Sequence, residues 1–196
     1  MDIRLDFLEE GCFYHIYNRG INGCRIFKDD KDQQFFCKKM KEYLSDYLEV
    51  YAYCLMPNHY HLVVKVKEFI TLTNSNKKVG LHSDKCIASK QLGKLMSSYS
   101  QAFNKRYERH GALLEKPFKR KRITENEYLQ QVIVYVNRNP LDIGENMEEY
   151  LYSSYKGILS SAPTTIQREE VLSLFAGIEN FKYCHSKESL YRFEFN

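Results

Sequence analysis

The segment Met56-Pro57-Asn58-His59-Tyr60-His61-Leu62 puts two histidines at i and i+2. On a strand both imidazoles leave from one face, close enough to share a ligand, while Tyr60 points to the other face. That spacing suits chelation of one cation. It equally suits two rings on a half-exposed sheet surface that hydrogen-bond locally. Tyr135 and Asn139 are four residues apart, so on a helix they share a face, beside the apolar stripe of Val132 and Val136. A phenol, a carboxamide and two imidazoles together make one nucleophile and three metal ligands. The chain holds 16 tyrosines, most of which must pack, so only this context singles out Tyr135. Tyr99 is a weaker candidate: it lies on the stripe of Leu92, Leu95, Met96 and Phe103, and its i+4 neighbour, Phe103, cannot bind metal.

The surrounding pattern says what could position these groups. Cys12 to Arg19 is aromatic and alternating and is broken by Gly20, Asn22 and Gly23, which predicts a first strand. Asp30 with Gln33 resembles a capping pair ahead of Phe36, Met40, Tyr43 and Tyr47, predicting a helix from about 30 to 47. Two β-branched and aromatic runs, 49–56 and 59–67, flank Pro57-Asn58 and read as a hairpin. A polar stretch, 71–85, reads as a mobile loop; a second helix carries Leu92 to Phe103 and ends near Gly111. An irregular basic segment follows. The third helix, with Leu129, Val132, Ile133 and Val136, must stop by Asn139, because Pro140 disfavours helical geometry before it. Beyond Ser153 a loop leads to a short helix near 168–175, with Thr164 and Gln167 as a capping box. This order predicts an α+β fold: an antiparallel sheet with helices on one face, related to the ferredoxin-like plan, its other face left available.

With 196 residues, 43% of them apolar, the chain can bury a core. The six scattered cysteines form no C-x-x-C pair and read as reduced thiols. No secretory leader or membrane-spanning run is evident, so the expectation is a cytoplasmic, nucleoid-associated protein without membrane contact. The net charge of +4 is mild but uneven: Lys105, Arg106, Arg109, Lys116, Lys119, Arg120, Lys121 and Arg122 are offset only by Glu108 and Glu115. Such a field would attract a phosphate backbone; the alternative is a solvated charged loop. Exposed groups such as Tyr17 and Asn18 could stack on or bond to unpaired bases, or Tyr17 could simply pack.

Several blocks in a fixed order carry a family resemblance. They are Tyr14-His15-Ile16-Tyr17-Asn18-Arg19-Gly20, Ile26-Phe27 with Asp29 and Asp30, and Ala52 to Leu62. Further along stand Phe103-Asn104-Lys105-Arg106-Tyr107, Tyr135-Val136-Asn137-Arg138-Asn139-Pro140 and Ser153-Ser154-Tyr155. Over roughly residues 12–156 the chain resembles the HUH single-tyrosine transposases, in particular the branch of REP-associated tyrosine transposases. Pro117 departs from that pattern, standing where an arginine is usual. The resemblance implies a transposase domain over 1–160, with 161–196 as an extension containing a short helix. It implies that Tyr135 is the nucleophile and that His59, His61 and Asn139 hold Mg²⁺ or Mn²⁺. Asn18, Arg19, Lys105, Arg106, Lys119, Arg120, Lys121 and Arg122 would contact DNA. The partners would be single-stranded DNA with a hairpin or palindromic repeat, such as a REP element, and a second copy in a homodimer. The expected reaction is DNA transposition chemistry: cleavage and rejoining through a 5′-phosphotyrosine link. The competing expectation is a non-catalytic single-stranded nucleic-acid-binding protein derived from a transposase.

Overall fold

The aromatic run after Cys12 pairs on both sides, which makes it the centre of the sheet. In the computed structural model, which describes residues 7–68 and 87–186, β1 (Phe13–Arg19) lies between β3 (His59–Val66) and β4 (Lys119–Ile123), and β2 (Leu48–Met56) flanks β3. All pairings are antiparallel, in the order β2-β3-β1-β4. The expected hairpin is β2–β3. Its turn is anchored from outside, since the carbonyl of Pro57 accepts from Ile26 N and Phe27 N, and that of Asn58 from Gly20 N. Gly20 is required by space: a Cβ there would come within 2.1 Å of the Cys24 carbonyl oxygen.

The first helix, α1 (Asp30–Leu44), begins where expected, but its cap lies one residue earlier than the expected Asp30. Asp29 is the cap, its side chain accepting from Asp32 N, while Gln33 reaches away to donate to the Leu55 carbonyl. It also ends before Tyr47, whose carbonyl accepts from Lys67 N beyond the end of β3. The second helix, α2 (Ile87–Arg106), packs against α1, and Arg106 bridges Asp29 and Asp32 at the start of α1. The expected loop 71–85 lies outside the described residues. The basic segment is not irregular as expected: 119–123 is β4, an edge strand in register with β1, with Lys119 beside Tyr17 and Lys121 beside His15. Its charges hid the alternation, because neither side of Lys-Arg-Lys-Arg is apolar.

The third helix, α3 (Asn126–Arg138), stops where Pro140 demands, and 139–143 continues as a 3-10 turn closed by Gly144 at φ 75°. Three short helices follow: α4 (Ser154–Leu159), where a loop was expected, α5 (Arg168–Leu174) and an unanticipated α6 (Ile178–Ser186). Gln167 makes no side-chain cap bond to α5; Thr164 Oγ1 instead accepts from Ile166 N, a turn rather than a capping box.

The architecture is the expected α+β one, with a second layer on the face expected to be open. One core joins Tyr14, Ile16, Tyr60, Leu62 and Val64 to α1 and α2. The other joins Ala52, Cys54, Met56 and Val63 to α3, α4, and Ile166, Val171, Phe175 and Phe181. Alternation along β3 assigns Tyr60 to the first side and His59 and His61 to the second. Among the described residues no helix is long and apolar enough to cross a membrane, and Cys12, Cys24, Cys37, Cys54 and Cys184 are free thiols.

Candidate active site

The strand pair β1–β3 sets Tyr17 beside His61 and Arg19 beside His59, and α3 crosses that same side of the sheet. The outcome is a compact group from three elements. The Tyr135 ring lies 5.4 Å from the His61 ring, edge to face, and 6.2 Å from that of His15; the His59 and His61 rings are 5.1 Å apart. Asn139, in the turn directly after α3, reaches His59, with Oδ1 3.5 Å from Nε2. The structure therefore brings Tyr135, His59, His61 and Asn139 together within one chain.

Hydrogen bonds fix how these rings are presented. Asn58 Oδ1 can only accept, so the 2.7 Å contact assigns the proton of His59 to Nδ1 and leaves the Nε2 lone pair toward Asn139. The Asn139 amide donates through Nδ2 to the Tyr135 carbonyl at 2.8 Å, which turns its Oδ1 toward that same lone pair. Two acceptors facing each other at 3.5 Å repel unless positive charge lies between them. Two ligands that each sit about 2.1 Å from one cation are separated by about 3 to 3.5 Å. Among the described residues no group of three or more His, Cys, Asp or Glu side chains is assembled for a metal ion; the fitting set here is two imidazoles and one carboxamide.

A third histidine, not singled out in the sequence, supports the pair. His15 Nε2 lies 2.8 Å from His61 Nδ1, with both side chains buried. A proton on His61 Nδ1, donated to His15, would direct the other nitrogen of His61 toward a ligand, the usual way a neighbour sets an imidazole's tautomer. The signal was the i, i+2 relation of His15 to Tyr17 on β1, readable only once β1 is known to pair with β3.

Burial dominates the electrostatics. Desolvation pushes His61 well below the ordinary histidine range, with like repulsion from His15 and His59 adding to it. His15 falls to about 3, through burial and then Lys121. His59 is lowered by burial, opposed by the Asn139 amide oxygen and by Asp142 and reinforced by Arg19. The Tyr135 phenol, 9% exposed, is pushed up to about 12 by burial, with hydrogen bonding to Asn139 pulling it part of the way back. All three imidazoles are thus neutral at pH 7, and the phenol stays protonated.

The expected DNA-contacting residues divide sharply. Lys119 and Lys121 lie on the His59–His61 side of the sheet, and Lys121 sits 4.9 Å from the Tyr128 ring centre. Arg120 and Arg122 alternate to the opposite side, where Arg120 donates to Ser89 and Arg122 pairs with Glu9. Arg19, near His59, pairs with Glu115 at 2.6 Å. Asn18 is buried and used internally, donating to the Glu115 carbonyl and accepting from Arg19 N. Arg106 is engaged by Asp29 and Asp32, and Lys105 is exposed on the last turn of α2. The rival Tyr99 is remote from this group: its hydroxyl donates to the Ile26 carbonyl inside the α1–α2 core.

No family model matches this sequence, and no curated protein does. Solved structures do. A REP-associated tyrosine transposase bound to a REP hairpin superposes with a TM-score of 0.62 at 12% identity, over 83% of this chain and 89% of that one. Bacterial tRNA(His) guanylyltransferase-like proteins align more loosely. The GTP complex gives a TM-score of 0.43 at 10% identity over 71% and 69% of the two chains, and the ATP complex 0.44 at 11% over 76% and 68%. Two-sided coverage and the four-stranded antiparallel sheet with its helices agree with the first of these: the chain has the fold of a REP-associated tyrosine transposase.

Proposed function

We propose that this protein cuts and rejoins single-stranded DNA that carries a hairpin, as a transposase-type transesterase, with Tyr135 as nucleophile. The observation that carries the reading is the approach of the Tyr135 ring to within 5.4 Å of His61, with His59 and Asn139 beside it. The similar fold of a transposase solved with a hairpin supports the choice of substrate.

His59, His61 and Asn139 would hold a divalent ion, Mg²⁺ or Mn²⁺, with two nitrogens favouring Mn²⁺ on coordination grounds. Such an ion supplies charge neutralisation and Lewis-acid polarisation of the phosphodiester. The protein's own groups do the rest. Its phenol, held on a helix, is aimed from the side of the sheet where Lys119 and Lys121 would draw the phosphate backbone. In the reaction the Tyr135 oxygen bonds to phosphorus, the bond from phosphorus to the 3′ oxygen breaks, and the phenolic proton is lost as the 3′ oxygen becomes a hydroxyl. Bond energy is kept in the phosphotyrosine link, so attack by another 3′ hydroxyl reverses the step without a nucleotide cofactor. With its phenol pushed up to about 12, Tyr135 would react slowly until substrate and ion are both present. A homodimer belongs to the same proposal, each copy carrying its complete group of four residues.

The test is a denaturing gel with labelled hairpin DNA and Mn²⁺. Wild type should give a covalent protein–DNA band, and Tyr135→Phe should lose it while retaining hairpin affinity. Equal nicking by both proteins would refute the assignment. Hairpin binding without any nicking by wild type would favour the non-catalytic alternative, toward which the near-complete burial of Tyr135 points.

A further inference from the structure

The last turn of α3 carries functional residues on one side and a set of buried polar bonds on the other. Asn137 lies between Tyr135 and Asn139 in sequence, about 200° around the helix from Tyr135. Its side chain is fully buried. Its Nδ2 is 3.1 Å from His185 Nε2 on α6, and its Oδ1 accepts from Ser154 Oγ at 2.5 Å. Ser154 Oγ in turn accepts from Tyr53 N on β2. The His185 ring is fixed by its own helix: Nδ1 donates to the Phe181 carbonyl at 2.7 Å, which leaves Nε2 as the acceptor that Asn137 needs. Next along α3, Arg138 donates to the His185 backbone carbonyl. Packing holds the ring as well, against Phe181 at 4.0 Å, Tyr155 at 5.1 Å and Phe175 at 5.9 Å.

We propose that α6 is a positioning latch: through His185 it holds the rotation of α3 about its axis, and so the aim of Tyr135 and the reach of Asn139. The inference rests on the reading of Tyr135 as nucleophile, and it assigns a task to the segment beyond residue 160. The bonds are suited to that task. An apolar contact tolerates sliding, whereas a neutral imidazole and a carboxamide must meet in one register, with a heavy cost for a buried polar group left unbonded. Small rotations matter at this radius. A tyrosine hydroxyl lies about 8 Å from its helix axis, so a turn of about 10° moves it by about 1.5 Å, enough to cost about 10²-fold in rate. His185 and Asn137 touch neither substrate nor ion and are positioning residues only.

The experiment uses full-length protein with 3-fluorotyrosine, the Tyr135 resonance being assigned by its loss in Tyr135→Phe. His185→Phe keeps the aromatic volume and removes the acceptor, His185→Gln restores an acceptor, and Arg138→Met cuts the second tie from the partly exposed side. His185→Phe is expected to shift or split the Tyr135 ¹⁹F line and to slow adduct formation about 10- to 100-fold, with hairpin Kd changed less than twofold. The glutamine variant should recover most of both. Arg138→Met should move both readouts in the same direction by less, and it decides the matter alone if His185→Phe does not fold. A folded His185→Phe, or failing that a folded Arg138→Met, with an unmoved Tyr135 line and wild-type adduct rate overturns the latch and leaves the nucleophile standing. If wild type forms no adduct, the proposed reaction fails, and the fluorine line alone still decides whether α6 sets the position of Tyr135.

Discussion

The two sides of the sheet are built from the same residue types and put them to different use. On the α1–α2 side two buried tyrosine hydroxyls are taken up by the backbone: Tyr99 donates to the Ile26 carbonyl and Tyr14 to that of Phe7. Phe27, Phe36, Tyr60 and Tyr99 pack ring against ring, and charged groups are engaged locally, Arg106 by Asp29 and Asp32 and Arg122 by Glu9. On the α3 side the buried aromatics are interleaved with His15, His59, His61 and His185, and bonds between side chains join His15 to His61 and Asn137 to His185 and Ser154. A side that satisfies its polar atoms with its own backbone gains rigidity. A side that satisfies them with side chains keeps groups that can rebond to a ligand, and burying these as neutral imidazoles costs stability.

Several measurements can break that contrast. The largest effect is expected on the α3 side: His61→Ala, or chelation of the ion in wild type, should lower adduct formation by several kcal/mol, about 10³-fold or more, with little change in hairpin affinity. Undiminished adduct in excess chelator would remove the metal from the proposal. Next in size, Phe36→Ala on the α1–α2 side should cost about 3–5 kcal/mol in chemical denaturation, yet leave the adduct rate per folded molecule unchanged. A rate that fell in proportion to stability would mean that the two sides are not independent.

Acid should distinguish the sides as well. His185 is lowered to about 4 by burial, from an ordinary value of 6.5. The unfolded chain therefore binds the extra proton first, so the stability this neutral ring represents is complete above pH 6.5 and is lost as the pH falls toward 4. By pH 5 the loss is on the order of 2 kcal/mol. Denaturation curves at pH 7 and pH 5, for wild type and His185→Gln, should differ by that amount in pH sensitivity; identical slopes would sink the prediction. The smallest effect concerns the divided basic strand. Lys121→Gln should lower the slope of log affinity for DNA against log salt by about 1, and Arg122→Gln, on the opposite side and paired with Glu9, should leave it unchanged. Equal slopes for the two variants would make the strand a diffuse charge rather than a sided one.

Strongly periodic segments were legible from residues alone. The β2–β3 hairpin, the end of α3 before Pro140 and the sharing of one face by His59 and His61 all follow from local geometry, because alternation on a strand and the steric demand of proline need no tertiary context. β4 was not legible: with charge on both sides, its strand character comes from backbone pairing with β1 and not from an apolar stripe. The split of Lys119 and Lys121 from Arg120 and Arg122 follows only once that strand is known. The α6 helix escaped for a related reason, since Phe181 and His185 form a short stripe that acquires meaning only against Tyr155 and Phe175.

What the sequence determined by itself was the inventory of reactive groups and their local spacing: two imidazoles on one strand, a phenol and a carboxamide four residues apart at the end of one helix. What only the tertiary structure decided was their meeting. Strand order, the side of the sheet that α3 crosses, the partnership of His15 with His61 and that of His185 with Asn137 join residues far apart along the chain. Such contacts are fixed by the joint packing of several elements, and no local spacing encodes them.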